Sequence, residues 1–191
     1  MIRCAFVSHH TGYGGAELML LTLLERLDRA RVAPIVLTPG EGMLTEGARA
    51  RGAEVRVVPV SRGLLGVARG GAPSRLDALR AVAALPVASA RLARAIRATR
   101  ADVVVTNSAK AHVYGSLAGR LARRPVVWRM HDTMDSADFA GSTRRLLLAI
   151  GRRAPVLVLT VSDSTGRALI EGGVPAGRAA PSRRAARSMP L

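Results

Sequence analysis

The sequence predicts an α/β fold, a Rossmann-like doubly wound parallel sheet of about six strands in a single domain. Three observations carry the expectation. Short apolar runs recur along the chain, stretches of helical periodicity separate them, and each run ends in polar or small residues. The runs are continuously apolar rather than alternating, as strands covered on both faces require. A chain of 191 residues suits one domain with a substantial core.

The first run, Ile2 to Val7, is short and partly β-branched. The segment Ala16 to Leu27 places Leu20, Leu23, Leu24 and Leu27 at helical spacing, which puts Gly12, Gly14 and Gly15 on a strand-to-helix turn. Ala33 to Leu37 reads as a second strand, closed by Thr38, Pro39 and Gly40, and a short helix over Met43 to Arg51 stops at Gly52. Glu54 to Val60 is the third strand. Residues 61–75 are rich in glycine and read as a mobile connector.

From Leu76 to Thr99 the pattern is helical, with Val82, Leu85, Leu92, Ala93 and Ile96 on one side and Arg80, Arg91 and Arg94 opposite. Pro86 is expected to kink or divide this helix. It reads as a cover for the sheet or, alternatively, as a basic amphipathic helix leaning on an anionic membrane. Asp102 to Thr106, Val126 to Met130 and Pro155 to Ser162 are three further strands, with helices over Ala111 to Ala122 and Thr143 to Arg152 between them. Right-handed crossovers give the order 3-2-1-4-5-6, with ligands at the carboxyl ends near strands 1 and 4.

The composition limits the partners. With 29 basic residues against 13 acidic ones the formal charge is +16, and every basic residue except Lys110 is arginine. Such charge suits anionic partners, phosphorylated small molecules or acidic headgroups. Nucleic acid is not expected as a partner, because Phe6, Tyr13, Tyr114, Trp128 and Phe139 are too few and too scattered to stack bases. The lone Cys4 lies within the first strand and reads as a buried thiol without a disulfide or metal role. Neither a leader nor a membrane-spanning run is seen, so the expected location is cytoplasmic, with peripheral contact on the inner membrane face as the alternative.

The strand ends carry the chemistry. Ser8, His9 and His10 precede Gly12, Gly14 and Gly15; Asn107 and Ser108, His131 and Asp132, and Ser162 and Asp163 end later strands. In a parallel sheet these converge on one rim. Gly14 and Gly15 let the main chain approach a ligand, and the free amides of the helix start favour an anion by about 0.3–1 kcal/mol. Glu17 and Ser162 read as caps of the helices they start. A dinucleotide site is the competing reading, as in a Rossmann-type nucleotide-binding protein. Against it, Glu17 stands where the third glycine of that fingerprint belongs, and Thr38 and Pro39 end strand 2 in place of an acidic residue.

The stretches GGAELMLLTLLERL, DVVVTNSAKAHVYGSLAGRLARRPVVWRMHD and TVSDSTGRAL, in this order and spacing, resemble the amino-terminal, acceptor-side half of a family 4 glycosyltransferase of the two-domain GT-B type. The likeness covers residues 2–175. It implies transfer of a sugar from a nucleoside diphosphate sugar with retention at the anomeric carbon, to a glycan, lipid-linked or phosphorylated acceptor, with neither a metal nor a separate cofactor. By position, His131 would reach the reacting sugar as the catalytic residue. Gly14 and Gly15 would face the donor diphosphate or the acceptor, and Asn107 and Lys110 would touch the acceptor. His10 and Glu17 complete the expected substrate-binding set.

The pattern departs from the family after Gly173 to Pro175, where a short strand and an Asn-Gly-Val-Asp-like turn would lead to the donor domain. Here AGRAAPSRRAARSMPL follows, and the expectation is that the C-terminal donor-binding domain is absent. The expected division is therefore a domain over 1–172 and a basic, disordered tail over 173–191. Three accounts fit: a subunit that needs a separate donor-domain partner and is inactive alone, a non-catalytic acceptor-binding module, or the truncated remnant of a frameshifted gene.

Overall fold

The computed structural model describes residues 1–61, 64, 75–132 and 141–181. Its strands are β1 (Ile2–Val7), β2 (Val32–Thr38), β3 (Glu54–Val57), β4 (Val103–Thr106), β5 (Val126–Met130), β6 (Leu157–Thr160) and β7 (Ala179–Pro181). They form one sheet in the order β3-β2-β1-β4-β5-β6-β7, with every pairing parallel. The helices are α1 (Gly15–Arg26), α2 (Met43–Ala50), α3 (Arg75–Ala98), α4 (Ala109–Ala122), α5 (Gly141–Gly151) and α6 (Asp163–Glu171). The Rossmann-like class and the order of the six expected strands are as the sequence predicts; β7 is an addition.

Successive residues of a strand point to opposite faces, so each buried strand feeds two cores. Cys4 and Phe6 of β1 join Leu20, Leu21 and Leu24 of α1 and Leu44 and Ala48 of α2 on one face. Ala5 and Val7 join Leu92 and Ile96 of α3, Tyr114 of α4 and Leu147 of α5 on the other. Cys4 is buried as expected, and burial pushes its thiol up to about 12, which leaves it an unreactive apolar filler.

Two prolines are accommodated by local geometry. Leu37 and Thr38 of β2 offer their carbonyls to Ser8 and Val58 respectively, so residue 34 faces the β3 side. There β3 begins pairing only at Ile35, and Pro34 leaves no ladder bond unmade. The division expected at Pro86 does not occur: α3 runs unbroken through it. Pro86 is exposed, and Val82, whose carbonyl loses its partner, is 66% exposed, so the unpaired carbonyl falls on a solvent-facing stretch of the helix.

The expected boundary at residue 172 is also corrected. Val174 is buried in the core, a 3-10 turn covers Ala176–Arg178, and β7 pairs with β6 through Val158↔Ala179 and Thr160↔Pro181. Three small residues pair here by backbone alone, which gives no apolar periodicity to read. Residues 182–191, and nearly all of the connector expected over 61–75, lie outside the described residues.

Candidate functional site

The order in which strands are laid down reverses at β1, which has β2 on one side and β4 on the other. This is the place where a crevice opens at the carboxyl ends of a doubly wound sheet. The ends of β1 and β4 are joined there: the Asn107 amide donates to the Val7 carbonyl at 3.0 Å, and His9 Nδ1 lies 2.6 Å from Ser108 Oγ. Tyr114, reaching up from α4, donates to the Ser8 carbonyl at 3.4 Å.

Asn107 is the hub of the rim. Its Nδ2 donates to the Ala16 carbonyl in the first turn of α1 at 3.0 Å, and its Oδ1 accepts from Arg129 at 2.6 Å and lies 3.2 Å from His131 Nε2. The glycine turn and the imidazole at the end of β5, expected on a common rim, are thus linked through a single carboxamide. Asn107 is wholly buried, with both ends of its amide engaged by neighbouring groups. Arg129 was missed in reading the sequence. The signal was present, an arginine inside the otherwise apolar VVWRM. Burial draws its guanidinium down to about 10, and no carboxylate pairs with it among the described ion pairs.

His131 is half-buried. Burial first, and then the charge of Arg129, lower its imidazole to about 4, so the ring is neutral near pH 7. His112 on α4 also went unread. It is wholly buried, stacks on Trp128 at 4.5 Å between ring centroids, and holds Nδ1 2.6 Å from Thr106 Oγ1. Burial brings it down to about 3.

The two glycines of the turn differ. A Cβ on Gly14 would meet Glu17 Oε2 at 2.8 Å, so Gly14 is bare to make room for a protein side chain. Among the described residues, a Cβ on Gly15 would meet nothing within 4 Å. Glu17 is buried with its carboxylate accepting from the Ser8 hydroxyl at 2.9 Å, which makes it a brace for the turn. His10 is exposed at the end of β1, with its backbone amide donating to Ser8 Oγ at 3.2 Å. Lys110 lies half-buried in the first turn of α4. Ser162 caps α6 as expected, accepting from the Thr165 amide at 3.2 Å. Among the described residues, no three His, Cys, Asp or Glu side chains form a group that could hold a metal ion.

The rim therefore offers exposed main chain at a helix start, a neutral imidazole and a half-buried guanidinium. These suit binding of a polar, anionic ligand and hydrogen bonding to hydroxyls. The family model described as Glycosyltransferase Family 4 matches residues 13–180. No curated protein sequence matches the chain. Among solved structures, Anabaena Alr3699/HepE in complex with UDP-glucose superposes with a TM-score of 0.71 at 23% identity, over 93% of this chain and 42% of that one. A glycosyltransferase from Rickettsia africae gives 0.64 at 14% identity, over 93% and 41%. A putative UDP-N-acetylglucosamine 2-epimerase from Listeria monocytogenes gives 0.58 at 10% identity, over 93% and 44%. The chain spans less than half the length of these proteins, and at such identities the likeness shows the fold alone.

Proposed function

Since the chain belongs to glycosyltransferase family 4, we propose that it forms the acceptor-side wall of a retaining glycosyltransferase site and works with a donor-binding half. The donor is a nucleoside diphosphate sugar, and the acceptor a glycan carried on a phosphate or a lipid. Orienting two substrates needs both walls of a cleft, so this half alone turns nothing over.

Gly15 carries the reading. It opens α1 without needing a positive φ, and among the described residues no atom beyond its own chain neighbours and helix lies within 4 Å of the place its Cβ would take. Neither sterics nor backbone conformation asks for glycine there, and glycine costs a helix stability relative to alanine. Close approach of a ligand phosphate to the helix start accounts for it. His131, neutral and beside that approach, would hydrogen-bond a sugar hydroxyl. Lys110 would add charge for an acceptor phosphate, and His10, exposed beside the turn, would contact the ligand.

Calorimetry of the chain with and without an added donor half, against UDP-glucose and other nucleoside diphosphate sugars, tests this. Heat is expected only with both parts, and Gly15→Ala is expected to weaken donor binding at least about tenfold with no loss of thermal stability. Full affinity in Gly15→Ala overturns the reading. In the same reconstituted pair, His131→Ala should lower turnover by about 100-fold or more; unchanged turnover in a folded variant removes the catalytic role.

A specific observation favours the bilayer as the source of the acceptor. The first half of α3 leaves Leu76, Leu79, Val82 and Val87 more than half exposed, with Arg91 and Arg94 exposed further along the same helix. No described helix is long and apolar enough to cross a membrane. An apolar ridge followed by arginines on a chain of charge +16 suits shallow insertion among anionic headgroups. Pelleting with anionic liposomes is expected, weakened by salt and lost in Leu79→Asp/Val82→Asp; no lipid-dependent pelleting ends this part of the proposal.

A further inference from the structure

We infer that Asn107 is a positioning residue that selects the Nε2–H tautomer of His131 and locks that ring to the glycine turn. The orientation of the carboxamide follows from its neighbours. Its Nδ2 faces the Ala16 carbonyl, an obligate acceptor, and its Oδ1 faces the Arg129 guanidinium, an obligate donor. A flipped amide would set carbonyl against carbonyl and amine against guanidinium, leaving buried groups unsatisfied. Oδ1 therefore offers only lone pairs to His131 Nε2 at 3.2 Å, and the ring must donate from that nitrogen.

The neutral ring has one proton to place. With Nε2 donating, Nδ1 keeps the lone pair and accepts hydrogen bonds. Arg129 and the burial of the site oppose a second proton. His131 thus faces a substrate as an acceptor for a hydroxyl, not as a donor to a phosphate oxygen. The Ala16 link adds a mechanical consequence. Displacement of the α1 start by a ligand at Gly15 is transmitted through one side chain to the imidazole.

The inference rests on the reading of this rim as the sugar site, but its test does not. The readout is nitrogen-15 NMR of the full chain with labelled histidine, close to pH 7. The wild-type chain should show a slowly exchanging ring proton on Nε2 of His131 and none on Nδ1; a proton held on Nδ1 overturns the inference without any variant. In Asn107→Leu the protected Nε2–H signal should vanish into rapid exchange with water. In Asn107→Asp, which gives up the bond to the Ala16 carbonyl but keeps acceptor oxygens for both Arg129 and His131, it should return. Persistence of the protected Nε2–H in folded Asn107→Leu overturns the assignment. If Asn107→Leu does not fold, the wild-type and Asn107→Asp spectra decide, since loss of the signal in folded Asn107→Asp also overturns it. Full donor affinity in Gly15→Ala would sink the sugar-site reading and leave these spectra unchanged.

Discussion

The two depressed imidazoles tie the stability of the fold to pH. His112 is brought down to about 3 and His131 to about 4, while both return to about 6.5 in the unfolded chain. The sign follows directly. Below about 6.5 the unfolded state takes up protons that the folded state refuses, so stability is whole near neutrality and falls as pH drops toward 4. Each imidazole contributes a slope of about 1.4 kcal/mol per pH unit across that window. Thermal melts from pH 7 to 4.5 should show this decline, and His112→Phe, which keeps a flat ring against Trp128, should remove roughly half of it. An unchanged slope in His112→Phe would mean that the ring is not held neutral. These residues also mark the limit of reading a site from sequence. His131 was legible because it ends a strand, as were the glycines beside a helix start. His112 and Arg129 lie within elements, where only the three-dimensional neighbours reveal a polar role. Asn107 was legible as a rim residue, yet its complete burial, and hence its service to other side chains, was not.

At the scale of elements, the runs of β1 and β5 stop at polar residues, Ser8 and His131, and their limits match the sequence reading to the residue. The longer runs expected for β3 and β6 are shorter as strands, Glu54–Val57 and Leu157–Thr160, although the Val58 and Val156 amides still bond to carbonyls of the neighbouring strands. Packing also hides in glycines. Gly115 and Gly119 lie one turn apart on α4, and a Cβ on either would come within 2.5 Å of Thr106 Cγ2 or 2.3 Å of Val126 Cγ2. The helix therefore rests its backbone directly on β4 and β5, which brings Tyr114 and His112 to the rim at the right height. Gly119→Ala improves local helix propensity but forces α4 off the sheet, because Val126 is buried and cannot move aside. Urea unfolding of Gly119→Ala should report a loss of about 1–3 kcal/mol despite the gain in propensity. A stabilised variant would show that α4 is free to shift, and with it the seat of the site.

The whole molecule is closed at one edge by a segment whose sequence gives little sign of structure. Val174 is 2% exposed, its amide donates to the Leu169 carbonyl at 3.0 Å, and its Cγ2 lies where a Cβ on Gly151 would approach to 3.3 Å. The turn that follows returns Ala179–Pro181 to the side of β6, covering an edge that would otherwise present unpaired amides. The sheet is thus a seven-stranded unit whose last strand hangs on one buried valine. Burial of such a side chain contributes about 1.5–3 kcal/mol, so Val174→Ala should cost about 1–2 kcal/mol in chemical denaturation, and Val174→Asp considerably more. Ending the chain after Gly172 should match or exceed the Val174→Ala loss and add association through the bared β6 edge, measurable as a concentration-dependent rise in light scattering. A chain of residues 1–172 that remained as stable and as monomeric as the full one would show that the fold is complete without its seventh strand, and would restore the boundary at 172 that the composition of the segment suggests.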